Sequence, residues 1–164
     1  MDRVLHSCAE LRLIRSQVFD DSVRSASEDG AHDSVMSNRA GSIFVVESDP
    51  GELSQTVSVL RAAGYEVTGT SRFDEAKRAL LDTPPSLLIA GVRLGAFNGL
   101  HLIVRSRIEH PEMNAILTHH ALDPVLKAEA ERQQAVYLLR PWTDQDLLAI
   151  VERSLAVSAG QPPS

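Results

Sequence analysis

Several polar residues follow directly after short apolar runs, and their types limit the chemistry that this chain can perform. Glu47, Ser48 and Asp49 follow one such run, Thr118 ends another, and Arg140 follows a third. A guanidinium pairs strongly with a carboxylate and also binds small anions. If folding brings these ends together, we therefore expect either an ion pair of Arg140 with Glu47 or Asp49, or a site for a small anion.

Motifs for other kinds of chemistry are missing from the sequence. No nucleophile motif of the form GxSxG and no phosphate loop of the form GxxxxGKS/T occurs. His119 and His120 are adjacent, so their side chains diverge, and no third ligand lies at metal spacing. We interpret them as solvated loop histidines, and Gly91, Gly95 and Gly99 as turn glycines. The sequence thus predicts a protein that is not an enzyme and has no catalytic residue, metal site or cofactor.

Five apolar runs alternate with amphipathic stretches, which predicts a repeated strand–helix unit. The predicted strands are Ile43–Val46, Tyr65–Thr70, Ser86–Ala90, Met113–Thr118 and Ala135–Leu139. The first predicted helix begins at Pro50 and ends before Gly64, and the others are Phe73–Leu81, Asn98–Glu109, Pro124–Gln133 and Thr143–Val157. Five such units predict an α/β fold with a five-stranded parallel sheet, doubly wound by helices on both faces.

The predicted sheet also indicates where the functional residues should lie. In an open parallel sheet, the site is found beyond the carboxyl ends of the strands. We expect that edge to carry the residues after the first, third, fourth and fifth strands, namely Glu47, Ser48, Asp49, Gly91, Thr118 and Arg140.

Composition divides the chain into three parts. We interpret residues 1–40 as an N-terminal extension, partly helical and then a Ser-, Asp-, Glu- and Gly-rich linker, followed by the sheet domain at 41–157 and a disordered tail at 158–164. The amphipathic helix within the extension either docks on its own domain or stays solvated, or else it dimerises or binds a partner. A further alternative is that translation starts at Met36, just before the first strand.

Charge and hydropathy exclude several kinds of partner. The chain has 16 Lys and Arg against 22 Asp and Glu, a net charge of −6, and no basic block that could contact phosphates. Its apolar runs are shorter than the roughly 20 residues that cross a bilayer, and its start lacks the features of a signal peptide. We therefore expect a cytoplasmic protein without nucleic-acid or membrane partners, and the lone Cys8 fits a reducing compartment.

Residues 43–156 resemble the response-regulator receiver domains of bacterial two-component systems, which have a CheY-like, flavodoxin-like fold. Five segments carry the resemblance, in order: Ile43–Pro50 (IFVVESDP), Gly64–Val67 (GYEV), Pro85–Leu100 (PSLLIAGVRLGAFNGL), Ile116–Thr118 (ILT) and Tyr137–Pro141 (YLLRP). Each segment is weak by itself, but their order and spacing together indicate the family.

The resemblance implies a set of functional positions, and the chain departs from some of them. In the family, two acidic residues after the first strand and an aspartate after the third hold Mg²⁺, and that aspartate accepts phosphate from a histidine kinase. A Ser or Thr and a Lys then bind the phosphoryl group, and an aromatic residue on the fifth strand changes rotamer. Thr118 and Tyr137 match these positions, whereas Arg140 replaces the lysine. Gly91 stands at the acceptor position and Ser48 at the second acidic one, which implies a degenerate pseudo-receiver with weak or absent Mg²⁺ binding.

These features predict a stand-alone, phosphorylation-independent interaction adaptor in phosphorelay signal transduction. Its expected partner is a histidine kinase, a phosphotransfer protein or a transcription regulator, with a homodimer as a further alternative. The family uses the face beside the fifth strand to meet partners, so the expected switch and docking face includes Tyr137 and Trp142.

Two other functions remain open from the sequence. The first is a sensor that holds a small anion or metabolite with Arg140, Thr118 and Ser48. The second is a phosphorylatable regulator that uses Glu47 or Asp49 as a displaced acceptor.

Overall fold

The computed structural model describes residues 41–159. The predicted N-terminal helix and linker, the alternative start at Met36 and the end of the predicted tail lie outside the described residues. The start of that tail was predicted too early, because residues 158 and 159 belong to the last helix. Alanine and serine continue the helical stretch there, and the first proline follows only at Pro162.

The described residues form one parallel sheet, a small hairpin and five helices. The strands of the sheet are β1 (Ser42–Val46), β2 (Glu66–Thr70), β3 (Leu87–Gly91), β6 (Asn114–His119) and β7 (Val136–Leu139), and the hairpin consists of β4 (Arg93–Leu94) and β5 (Phe97–Asn98). The helices are α1 (Pro50–Ala62), α2 (Phe73–Asp82), α3 (Gly99–Glu109), α4 (Pro124–Arg132) and α5 (Asp144–Ala159).

The sheet order is β2-β1-β3-β6-β7, and all four neighbouring pairs are parallel. This confirms the predicted α/β class with a five-stranded parallel sheet. Each of the five strands and five helices predicted for the sheet domain is present, and its ends lie within two residues of the predicted ones.

Alternation along the strands divides the core into two layers, because successive side chains point to opposite faces. Phe44 and Val46 of β1 pack with apolar residues of α2, α3 and α4 on one face. Ile43 and Val45 pack with residues of α1 and α5 on the other. Both faces of β1 and β3 are buried, which explains why these strands are continuous apolar runs in the sequence.

Helix caps place the first turns of α1 and α4 at the carboxyl edge of the sheet. The Asp49 carboxylate accepts a hydrogen bond from the amide of Glu52 at 2.9 Å, and Pro50 opens α1. Asp123 caps α4 in the same way, with Pro124 as its first residue. An acidic cap followed by proline satisfies free amides and fixes the backbone for a helix, so each helix begins at a defined residue.

The hairpin between β3 and α3 was not predicted. It turns at Gly95, whose φ of +66° lies in the left-handed region that favours glycine. Phe97 of the hairpin stacks on Phe73 at the start of α2, with ring centroids 4.2 Å apart and an interplanar angle of 12°. Two-residue strands are too short to produce an alternating pattern in the sequence, which explains the omission.

The outer strands β2 and β7 each have one neighbour in the sheet. On β2, the Arg61 guanidinium donates to the carbonyl oxygen of Val67 from Nε at 3.1 Å and from Nη2 at 2.7 Å. This backbone carbonyl is therefore paired with a side chain of the same chain.

Within residues 41–159, every helix is too short or too polar to span a bilayer.

Candidate functional site

The carboxyl ends of β1, β3 and β6 border a cleft of about 400 Å³. Five of the residues that the sequence assigns to this edge line it: Glu47, Ser48, Asp49, Gly91 and Thr118. Arg140, which follows β7, contacts the cleft through the carboxylates of Glu47 and Glu52. The parallel sheet thus brings together the site residues predicted from four separate strand ends.

Glu47 is the buried acidic residue of the site, with 7% of its surface exposed. Its Oε2 lies 3.6 Å from Nη2 of Arg140. Burial raises the pKa of the Glu47 carboxyl above its ordinary value, and the positive charge of Arg140 opposes this rise. The negative charge of Glu52 adds to the rise, whereas the backbone amides of Asp49 and Ser48 oppose it. The structure therefore contains one of the two ion pairs that we expected.

Arg140 also contacts a second carboxylate, which the sequence analysis missed. Its Nε lies 3.3 Å from Oε2 of Glu52, in the first turn of α1. Glu52 in turn lies 3.2 Å from Nε2 of His120. Arg140 also contacts Trp142: the carbon of its guanidinium group lies 3.9 Å from the centre of the Trp142 ring, which is the geometry of a cation–π contact. The signal for Glu52 was its position in the first turn of a helix that begins at the functional edge.

Gly91 is the last residue of β3 rather than part of a turn, which corrects its interpretation as a turn glycine. It lacks the positive φ found at Gly41, Gly64 and Gly95, so its backbone does not require glycine. A Cβ at this position would lie 2.6 Å from Oε2 of Glu47 and 3.0 Å from its carboxyl carbon. The Glu47 carboxylate therefore fills the space that a side chain at position 91 would need.

Gly99 opens α3 and is likewise not a turn glycine. A Cβ there would collide with the carbonyl oxygen of Gly91. The amide of Gly99 donates to the carbonyl of Val92 at 3.0 Å, which closes the segment that contains the hairpin. Glycine at position 99 therefore permits the close approach of α3 to the end of β3.

Ser48 and Asp49 are both engaged in structural hydrogen bonds. The Ser48 hydroxyl donates to the carbonyl of Arg93 at 2.7 Å, which ties the end of β1 to the hairpin. The Asp49 carboxylate caps α1, so of the two alternatives for Arg140 the structure contains the pair with Glu47 and not the one with Asp49. An exposed N-cap aspartate is held by free helix amides, which compete with any distant cation.

The magnesium ion implied by the family resemblance does not fit these side chains. A hard cation of this kind is anchored by carboxylates, but Gly91 supplies none and Glu47 is paired with Arg140. Asp49 caps a helix, and Ser48 donates its proton to a backbone carbonyl. Among residues 41–159, no three His, Cys, Asp or Glu side chains converge in a geometry suited to a metal ion.

Thr118 and Tyr137 lie close to the cleft and are both hydrogen bonded. The buried Thr118 hydroxyl lies 3.5 Å from the carbonyl oxygen of Ala90, to which it donates. The Tyr137 hydroxyl donates to the carbonyl of Ala121 at 2.7 Å and lies 2.8 Å from Nδ1 of His119. Because the phenol proton is directed at Ala121, His119 is the donor in the second bond.

This bond corrects the interpretation of His119 as a solvated loop histidine. His119 is the last residue of β6 and is half-buried against Tyr137. His120 is exposed, but its ring contacts Glu52.

Trp142, expected as part of a docking face, is half-buried and packs against the hydrophobic layer formed with α1 and α5. Its contact with Arg140 makes it a support for the site.

The exposed apolar side chains beside β7 are different residues. Leu122 lies just before α4 and is 68% exposed, and Val125, the second residue of α4, is 78% exposed. Leu139 at the end of β7 is 40% exposed. The register partner of Leu139 is His119, which lies three residues before Leu122. Leu122, Val125 and Leu139 therefore lie at the same end of the sheet. We call Leu122, Val125 and Leu139 the apolar surface.

Known proteins that resemble this chain were found by sequence and by structure, but not among protein-family models. No protein-family model matches the chain. The chain is 30% identical over 127 residues to the DNA-binding transcriptional regulator NtrC of Azospirillum brasilense, which covers 76% of this chain and 26% of that protein. The chain spans about a quarter of the length of the curated relatives that it matches.

Two solved structures illustrate the structural similarity. NtrX from Brucella abortus has a TM-score of 0.68 at 24% identity and covers 73% of this chain and 28% of that one. A CheY-like response regulator receiver domain protein from Methanospirillum hungatei JF-1 has a TM-score of 0.69 at 21% identity, with coverage of 72% and 95%. The fold is therefore that of CheY-like receiver domains. Together with the sequence similarity to NtrC, it supports a response-regulator receiver domain.

Proposed function

We propose that this chain acts in two-component signalling as a receiver-type domain that binds a protein partner without being phosphorylated. In this role it is an adaptor rather than an enzyme, and it works in the cytoplasm. Its partner is a histidine kinase, a phosphotransfer protein or a transcription regulator. The similarity to NtrC, a DNA-binding transcriptional regulator, makes the last of these a natural first choice for study.

The main observation in favour of this proposal is the end of β3. Position 91 carries no carboxylate that could form an acyl phosphate, and the space beside it holds the Glu47 side chain. The Glu47 carboxylate is itself buried and paired with Arg140. A domain with this arrangement keeps the receiver fold but lacks the group on which the family's phosphotransfer depends.

The apolar surface provides a place for a partner. Leu122, Val125 and Leu139 are large apolar side chains that remain exposed at one end of the sheet, and exposed apolar residues that cluster are typical of protein interaction sites. Tyr137 beside them is held by hydrogen bonds to Ala121 and His119, so the surface has a fixed support.

The two other functions left open by the sequence receive less support. An anion sensor needs a free cation, whereas Arg140 contacts the carboxylates of both Glu47 and Glu52. A displaced acceptor needs a free carboxylate, whereas Glu47 is buried against Arg140 and Asp49 caps α1.

Affinity capture from the native lysate tests the proposed binding role. The tagged chain is compared with a Val125→Glu, Leu139→Lys variant, in which charges replace two members of the apolar surface. The matched control is Ile108→Glu, because Ile108 on α3 is 78% exposed, as Val125 is. We expect one signalling protein to be enriched by the wild type and by the control but lost by the double variant. Equal enrichment by all three proteins would contradict the proposal.

Treatment with acetyl phosphate and Mg²⁺ tests independence from phosphorylation. Intact-mass spectrometry should find no phosphoryl group on the wild type, because no acceptor carboxylate lies at the end of β3. A stoichiometric adduct that hydroxylamine removes would identify an acyl phosphate and would overturn this part of the proposal.

A further inference from the structure

The positions of Glu47 and Gly91 indicate what the cleft can admit. We propose that the Glu47 carboxylate is an internal anionic ligand that permanently occupies the space beside Gly91, and that Arg140 holds it there and thereby closes the cleft to phosphate from solution. This inference deepens the proposed function and rests on it, since it explains why such a domain would not respond to phosphorylation.

The first support is the space at the end of β3. Glycine is not required by the backbone of Gly91, whose φ is not positive. What excludes a larger residue is the Glu47 carboxylate, because a Cβ at position 91 would lie 2.6 Å from Oε2 and 3.0 Å from Oε1. Real non-bonded contacts of carbon with oxygen are longer, so one of the two side chains would have to move.

The second support is what keeps Glu47 in place. A carboxylate at the end of a flexible side chain could swing away at little cost if nothing held it. Here Arg140 approaches Oε2 of Glu47 at 3.6 Å, and only 12% of the Arg140 side chain is exposed. Glu52 and the Trp142 ring hold the guanidinium from two other directions. Arg140 therefore restrains Glu47, and Glu52 and Trp142 in turn restrain Arg140.

The third support is the charge that an entering anion would meet. The cleft is lined by the carboxylates of Glu47, Asp49 and Glu52. Arg140 is already paired with two of them, and the lining cation Arg93 is exposed to solvent. Phosphate would have to displace Glu47 from Arg140 while passing other negative groups, which is unfavourable.

A double-mutant cycle tests whether Glu47 occupies the space and is held there. In the wild-type background, we expect Gly91→Ala to lower the equilibrium constant for folding by roughly five- to thirtyfold, because the new Cβ must displace a restrained carboxylate. In a Glu47→Ala background, the same change should cost less than about twofold. A Glu47→Ser series gives the same comparison if Glu47→Ala does not fold cooperatively.

Gly51→Ala serves as the matched control. Gly51 lies in the exposed first turn of α1, where an added Cβ would lie 3.1 Å from Oδ1 of the exposed Asp49 cap, a milder approach than the 2.6 Å at position 91. We expect less than about a twofold effect, since alanine is the better helix former. The inference is overturned if Gly91→Ala is as mild as Gly51→Ala, or if its cost is the same with and without the Glu47 side chain.

Phosphate protection tests whether the cleft is closed. The thermal midpoint of the wild type is compared in sodium phosphate and in sodium chloride at equal ionic strength, beside an Arg140→Gln variant. We expect no phosphate-specific stabilisation of the wild type. Stabilisation that disappears in Arg140→Gln would overturn the inference. All these measurements use the purified chain alone, so they stand apart from partner capture, and either proposal can fail while the other survives.

Discussion

The Glu47 carboxylate and the Arg140 guanidinium each lose most of their hydration in the folded protein, with 9% and 12% of their side chains exposed. Burial of one charge alone would cost free energy, and the attraction between the two groups offsets this cost for both. Removal of one member of such a pair typically destabilises a protein by about 3–5 kcal/mol, because the other is left uncompensated. Glu52 reduces this cost for Arg140, since it supplies a second carboxylate.

The pH dependence of stability should reveal Glu47 directly. Its pKa is raised in the folded state, mainly by burial, and lies at the ordinary value in the unfolded chain. Between the two values the folded state binds the proton more tightly, so Glu47 contributes stability at low pH that is lost as the pH rises through this window. We expect the wild type to gain stability relative to Glu47→Gln as the pH falls through it. Urea unfolding of both proteins across a pH series would measure this, and a relative loss would contradict the assignment.

Single residues were the hardest part to predict. The sequence assigns Glu47, Gly91 and Arg140 to one edge, because parallel strands deliver their ends to the same place, and in the structure Glu47 contacts Arg140 and fills the space beside Gly91. The second partner of Arg140 was missed, because Glu52 lies on a helix and its reach depends on packing. The half-buried environment of His119 was missed for the same reason, since it depends on a bond to a neighbouring strand.

At the scale of elements, the sequence carries most of the information. The strands β1, β3 and β6 are mainly buried apolar runs, and caps such as Asp49–Pro50 and Asp123–Pro124 mark the helix starts locally. These signals do not depend on the rest of the fold. The hairpin β4–β5 lacked such a signal, since its position depends on the stacking of Phe97 against Phe73 from a distant helix.

Substitution of Asp49 tests its role as the N-cap of α1. Asp49→Ala should destabilise the domain by about 1 kcal/mol, because the amide of Glu52 loses its acceptor. Asp49→Asn keeps the cap and should change stability little. Urea unfolding at neutral pH measures both effects. If Asp49→Asn cost as much as Asp49→Ala, the charge of Asp49 rather than its cap would be the important feature.

At the scale of the whole molecule, the sheet order should determine how stability is distributed. β3 lies in the centre with β1 and β6 as neighbours, whereas β2 and β7 are the outer strands. The five residues of β3 are all buried, and those of β7 are mostly not. Opening of the centre therefore requires disruption of both hydrophobic layers.

Hydrogen exchange of backbone amides would measure this distribution. We expect amides of β1, β3 and β6 to exchange only through global unfolding, and those of β7 to exchange faster through local opening. Mass spectrometry of proteolytic peptides after timed labelling resolves these strands. Protection of β7 equal to that of β3 would contradict the expected hierarchy.

The contact of Arg61 with the Val67 carbonyl has a consequence for behaviour at high concentration. An outer strand with free backbone groups can template the addition of a strand from another molecule, which leads to aggregation. Arg61 occupies one of these acceptors on β2 with two of its guanidinium nitrogens. Arg61→Met keeps much of the side-chain bulk but releases this carbonyl. We expect the variant to scatter more light than the wild type during storage as a concentrated solution, so one arginine would help to keep the folded protein dispersed.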